Sequence, residues 1–220
     1  MKTPGHQVVS RVHLLRMTAG TQKTVDLAVK AYQLNSLEFS REVQESAKKL
    51  HEIELGIADR GRSLLDAGKL IDATTRSACS SLRIYSALRI AHAAAIEMTR
   101  NTRLKIAKKH LLTPAATVQM ADFVNRLIRL STVAVFNRDT DHAATVLRLE
   151  ERRRKSRVAR GSVDEDLEEL AVFRCLEQIA EQAYEIADAV AHLRPASQGL
   201  PLLGSHDRLL SQAQCFDRLP

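Results

Sequence analysis

The sequence contains no tryptophan, and its three tyrosines and five phenylalanines make up only 4% of 220 residues. Proteins that hold single-stranded nucleic acid stack bases on aromatic platforms, so this shortage argues against that class of function. Eight glycines and five prolines are equally sparse for the length, and sandwiches, barrels and disordered linkers all depend on the turns those residues make. The composition that remains is all-α. The three cysteines, Cys79, Cys175 and Cys215, are odd in number, far apart and in no C-x-x-C pattern. That spacing suits reduced thiols rather than a zinc site or a disulfide framework. No stretch reaches the ~18 apolar residues of a spanning helix, and Met1 to His6 lead into no apolar run of signal-peptide length. A cytoplasmic location is expected.

Catalytic signatures are missing too. There is no G-x-x-x-x-G-K-[ST], no G-x-G-x-x-G and no G-x-S-x-G. His51-Glu52-Ile53-Glu54 superficially resembles a metalloprotease helix, but Leu55 stands where the second histidine is required. No glutamate is followed three residues later by a histidine, which removes the usual ferritin-like di-iron centre. The chain reads as a non-enzyme. What it does have is 45% hydrophobic and 27% charged residues, a formal charge of +7 and a pI near 9.6. At 24.5 kDa it can bury a core without staples. The positive balance suits an acidic partner: nucleic acid, a phosphorylated protein or an anionic membrane.

Apolar residues recur at helical spacing along most of the chain. Val25, Ala28, Val29 and Tyr32 belong to a first helix, and Phe39, Val43, Leu50, Ile53, Ile57 and Leu64 to a second. Between them Asn35 is expected to cap the new helix, with Glu38 completing a capping box. Gly68 is a candidate left-handed stop. A third helix opens at Asp72 or Thr74, carries Ile84, Leu88, Ala91, Ala95, Met98 and Ile106, and ends before Thr113-Pro114. After Pro114 the pattern restarts with Val124, Leu127, Ile128, Ser131 and Val135, and breaks again at Asn137 to Asp141. A helix from Thr140 to about Val158 and a last helix seamed by Val172, Leu176, Ile179, Ala183, Ile186, Val190 and Leu193 complete the set. The expected architecture is two tandem antiparallel three-helix bundles, 8–110 and 115–193, followed by a mobile tail, 194–220.

Glu177, Glu181 and Glu185 form an acidic row on the last helix. The plain reading is a solvated face. The chemical reading is that Asp139 and His142, at the start of the antiparallel neighbour, come level with the row. Together they would offer oxygen and nitrogen ligands to a divalent or ferric ion. Asp139 also suits a helix N-cap. Arg152 to Arg160 holds six cationic residues in nine, and Lys105, Lys108, Lys109 and His110 form a second cluster. Cations at a helix end meet its negative dipole, so both runs have a structural reading beside that of a docking patch for acidic protein or anionic lipid. Cys79 and Cys175 lie within amphipathic helices and are expected to be small core residues.

The second half resembles the PhoU family of phosphate-signalling adaptors, which are built from two three-helix repeats. Asp139-Thr-Asp-His-Ala143-Ala-Thr-Val146-Leu-Arg-Leu-Glu150 is similar to that family's "D, two residues, hydrophobic-Ala, two residues, Val, three residues, acid" segment. Leu176-Glu177-Gln-Ile-Ala-Glu181-Gln-Ala-Tyr-Glu185-Ile-Ala187 is similar to its "LERIGDxAxxIA" signature, with Glu181 for the aspartate and Gln178 for the arginine. In the first half, Ser81-Leu-Arg-Ile-Tyr-Ser-Ala-Leu-Arg-Ile90 matches the entry into the same helix. Its acidic positions, however, are taken by Ala95 and Thr99, and Ser36 and Ala47 replace the acids of the preceding helix.

The resemblance implies a non-enzymatic cytoplasmic regulator of phosphate uptake and phosphate-starvation signalling, contacting a phosphate transporter and a sensor histidine kinase. It also implies a metal ion in the second repeat at Asp139, Glu177 and Glu181, beside which the helix geometry sets His142, and the loss of the acids in the first repeat argues against a second site. Homodimer formation and peripheral membrane proximity are compatible with it. The competing functions are a basic helical nucleic-acid-binding regulator using the Arg152 to Arg160 run, which a steep salt dependence of DNA binding would distinguish, and a metal-dependent enzyme at the acidic row.

Overall fold

The structure is a computed structural model. It describes residues 11–66, 72–157 and 167–192, with side chains over 11–54, 79–155 and 167–192. Among the described residues there are six helices and no strand: α1 (Arg11–Gln33), α2 (Leu37–Asp66), α3 (Asp72–Ala107), α4 (Ala115–Asn137), α5 (Thr140–Arg157) and α6 (Leu167–Ala191). The expectations for Gly68, Leu193, Cys215 and the tail at 194–220 lie outside the described residues.

α1, α3 and α4 stop where the chain enters the left-handed region, at residues other than glycine: Asn35 (φ 47°), Lys109 (φ 59°) and Arg138 (φ 53°). Asn35 is therefore not the cap of α2 but the residue that terminates α1. Its N–H bonds to the Tyr32 carbonyl at 3.3 Å, and the Ser36 N–H to the Ala31 carbonyl at 2.9 Å, a Schellman closure. Ser36 takes over the capping role, with its Oγ accepting from the Phe39 N–H at 3.4 Å. Asparagine serves both as an N-cap and as a tolerant left-handed residue, which is why the break was legible and its direction was not. The Asn35 amide also donates to the Leu111 carbonyl at 3.1 Å, fastening the α1/α2 turn to the α3/α4 connection. Lys109 and His110 close α3 in the same way, on Ile106 and Lys105, so this helix ends at Ala107, earlier than Thr113.

α1 packs on α2 and α3, and α4 packs on α5 and α6. The two sets meet through α3 against α6, the most extensive contact in the molecule, and through α1 against α4. Corresponding helices of the two halves thus face each other across one continuous apolar core. Alanines allow the close approach of α3 and α6, since Ala87, Ala91, Ala94 and Ala95 on one and Ala180, Ala183 and Ala187 on the other are all buried. The seam residues Val172, Leu176, Ile179, Ala183, Ile186 and Val190 are buried, as the spacing predicts. Cys175 is buried as expected, but Cys79 is exposed and is not a core residue.

α1 and α2 approach at a glycine. A Cβ built on Gly20 would lie 2.4 Å from a methyl of Leu50, which is itself fully buried. Gly20→Ala is expected to cost about 1–3 kcal/mol in chemical denaturation despite alanine's better helix propensity. A neutral or stabilising result would show that the α1/α2 contact is looser than this.

Candidate functional site

Asp139 is the N-cap of α5, with Oδ1 accepting from the backbone N–H of Asp141 at 2.8 Å and of His142 at 3.1 Å. Its Oδ2 lies 2.6 Å from His142 Nδ1. These bonds, the backbone N–H of His142 first, hold the Asp139 carboxyl below the usual aspartate range. Glu177 lies at a different level of α6, beside the C-terminal part of α5, where its Oε1 is 3.6 Å from Arg153 Nη1. Glu181 is exposed, and Glu185 pairs with Arg83 of α3 at 3.0 Å. Among the described residues no three His, Cys, Asp or Glu side chains converge to hold an ion. The structure joins Asp139 to His142 and sends Glu177 elsewhere, so the four do not form one site.

What faces the acidic row is arginine. Glu150, fully buried, accepts from Arg153 Nε and Nη2, both at 2.7 Å, and from Arg154 Nε at 3.2 Å. Arg153 is raised above the usual guanidinium range, chiefly by its hydrogen bonds to Glu150, with further help from the charges of Glu177 and Glu181. The guanidinium of Arg154 lies 4.7 Å from the centre of the Tyr184 ring, a cation–π contact that ties α5 to α6. The acids that the family resemblance singles out, Glu150, Glu177 and Glu181, thus surround a fixed organic cation. They do not fit a metal ion as arranged, because both oxygens of Glu150 are already engaged. In the first half the corresponding positions have no carboxylates: Ser36 caps α2, Thr99 bonds back to the Ala95 carbonyl at 2.9 Å, and Ala95 is buried.

Removing the Arg153 guanidinium would leave buried Glu150 with Arg154 alone and take away the bond to its Oε2. Arg153→Met should therefore lose about 3–5 kcal/mol of unfolding free energy, and Arg153→Met combined with Glu150→Leu should recover most of it. Equal losses in the single and double variants would overturn this reading of the pair.

A second constellation was not anticipated as a site. Ala47, His51 and Glu54 of α2, Arg89, Ile90, His92, Ala93 and Ile96 of α3, and Gln178 of α6 line an open cleft of about 500 Å³. Glu54 stands between two histidines, 3.7 Å from His51 Nδ1 and 4.0 Å from His92 Nδ1. His92 is 5% exposed, and its Nε2 is buried without a hydrogen-bond partner. Burial lowers its pKa from 6.5 to about 4. Burial and the charge of Glu54 push the Tyr85 hydroxyl above its ordinary value. The only sequence signal for this cleft was the His51-Glu54 spacing, since His92 is read as an ordinary polar position until α3 is placed.

A histidine held neutral in the folded protein makes stability fall with acid. The unfolded chain takes up a proton near 6.5, whereas the folded chain resists it down to about 4. His92 therefore contributes no destabilisation above ~6.5 and roughly 3 kcal/mol of it once the pH reaches ~4. Urea unfolding from pH 7 to 4.5 should show a shallower pH slope for His92→Gln than for the wild type. Parallel slopes would place the acid sensitivity elsewhere.

No helix among the described residues is long and apolar enough to cross a membrane. Comparison with models of known protein families finds no match, and neither does comparison with curated proteins. Comparison with solved structures does. The crystal structure of PhoU from Pseudomonas aeruginosa superposes with a TM-score of 0.70 at 20% sequence identity, over 83% of this chain and 94% of that one. At that identity the match speaks for architecture, and the chain has a PhoU-like all-α fold.

Proposed function

We propose that this protein is a non-enzymatic regulatory adaptor that couples phosphate status to a phosphate transporter and a sensor histidine kinase by direct contact. The observation that carries the reading is the fold, matched over nearly the whole of a PhoU chain and in keeping with the repeat motifs around Asp139 to Glu150 and Leu176 to Ala187. The chemistry of the interior supports it. Buried Cys175 has its thiol pushed up to about 11 by burial, which leaves it protonated and unreactive at neutral pH. The acidic row is neutralised by arginines rather than left open to polarise a substrate. Such a bundle acts through its surfaces, on the cytoplasmic side, by occluding or bridging partners. In this reading Arg153 does the charge-balancing that a metal would do, so the acidic row of the second repeat is a permanent salt-bridged seam.

Deleting the gene should change phosphate uptake or the expression of phosphate-starvation functions. Affinity capture from phosphate-replete and phosphate-starved cells should recover a phosphate transporter or its kinase in one condition and less of it in the other. Unchanged phosphate physiology together with neither partner captured would overturn the adaptor reading.

A further inference from the structure

Six leucines with large exposed areas gather at one end of the bundle. The α1/α2 turn supplies Leu34 and Leu37, at 65% and 46% exposure, and the last turn of α3 supplies Leu104 at 46%. The α3/α4 connection contributes Leu111 and Leu112, at 55% and 90%, and the first residue of α6 is Leu167 at 79%. The connections that bring them together are specific. The Asn35 amide holds the Leu111 carbonyl beside the α1/α2 turn, and Lys108 pairs with Glu168, next to Leu167. Arg103, Lys108 and Lys109 are exposed among these leucines. The patch also carries Glu38, and Glu168 is taken up by Lys108.

We infer that this end of the bundle is a docking surface for an anionic lipid bilayer, with Leu111 and Leu112 entering the headgroup region and the surrounding lysines and arginines meeting lipid phosphates. Two features favour lipid over a folded partner. Side chains exposed by half to nine-tenths protrude from the surface instead of lining a groove, and a bilayer accepts protruding apolar groups without matching pockets. The flanking charges, on a chain of net +7, have the sign that the anionic leaflet attracts. Either the helix-end cations or the leucines alone would give only marginal attachment, because stable anchoring takes apolar insertion and electrostatic attraction together. The inference stands on this surface alone and does not depend on the phosphate reading.

Flotation of the purified full chain with vesicles of phosphatidylglycerol and phosphatidylcholine, compared with phosphatidylcholine alone, is the test. Binding is expected with the anionic vesicles and should weaken as salt is raised. Leu111→Ser/Leu112→Ser should lower partitioning by about tenfold or more while keeping the wild-type circular dichroism and unfolding midpoint, since both residues are exposed in a connection. Lys109→Gln/Arg103→Gln should reduce the preference for anionic vesicles. Absence of flotation, equal binding to neutral vesicles, or binding that the leucine pair does not affect would each overturn the proposal. So would a wild type that ignores vesicles but loses a protein partner on Leu111→Ser/Leu112→Ser, which would reassign the surface to protein contact.

Discussion

A lysine and a glutamate buried together fix how the two halves of this molecule meet. Lys105 in the last turn of α3 and Glu169 in the first turn of α6 are 2% and 5% exposed, with Nζ and Oε2 2.7 Å apart. Tyr32 of α1 donates its hydroxyl to the other carboxylate oxygen at 2.5 Å and offers its ring face to the ammonium, 4.7 Å from the centroid. Each charge also sits at the favourable pole of its own helix, the cation at a C-terminus and the anion at an N-terminus. Desolvating both ions is costly, and that cost is offset here by engaging both oxygens of Glu169. Its main effect is register. Sliding α6 one turn along α3 would leave an ammonium in the core without a carboxylate, a penalty larger than most packing adjustments could offset.

The rest of the interface follows from that registration. With α3 and α6 fixed at one end, Arg83 reaches Glu185 at 3.0 Å and Asp188 at 2.8 Å near the other. Asp26 on α1 gathers Asn125 and Arg129 of α4 at 2.9 and 2.7 Å, beside its own helical neighbour Lys30. These outer pairs are half exposed and add little stability individually. Their value is in excluding alternative alignments of surfaces that are otherwise rich in alanine. Between the charged ends, buried alanines recur on both α3 and α6, and a surface that smooth has few knobs to specify depth or axial position by packing alone. The polar ends supply the specificity that the centre lacks.

Periodicity made the helices legible. Val25, Ala28, Val29 and Tyr32 are buried, as are Val124, Leu127, Ile128, Ser131 and Val135, because a 3.6-residue repeat is a local property of the chain. The breaks at Asn35, Pro114 and Asp139 were legible for the same reason. What local pattern could not show is partnership across distance. Lys105 reads as one of several surface cations at a helix end and Glu169 as a dipole-facing acid, and their mutual burial joins positions 64 residues apart. The acidic row was visible as carboxylates at a helical repeat, but the arginines that occupy it come from α5 and α3. A sequence scan for acid ligands counts the anions and has no means of seeing the cation between them. The expected meeting of Asp139 with Glu177 assumed equidistance from a turn whose length and geometry a helix pattern does not set.

An arginine and a metal ion impose different behaviour on such a seam. A metal that comes and goes would let the charge of the α5/α6 face vary with supply, because vacant carboxylates repel and occupied ones do not. A guanidinium with a pKa already far above neutrality, and raised further by Glu150, is always present and always charged. The α5/α6 seam around Arg153 therefore keeps its cation across physiological pH. The buried titrating group that responds to acid, His92, lies on the opposite, α2-facing side of α3, where α6 contributes only Gln178 to the cleft lining. A regulator built this way would act through what its outer faces touch. The end that carries exposed leucines and lysines is also the end where Lys105 and Glu169 fix α3 against α6. A partner or bilayer engaging Leu111 or Leu167 there would bear directly on the one contact that sets the register of both halves.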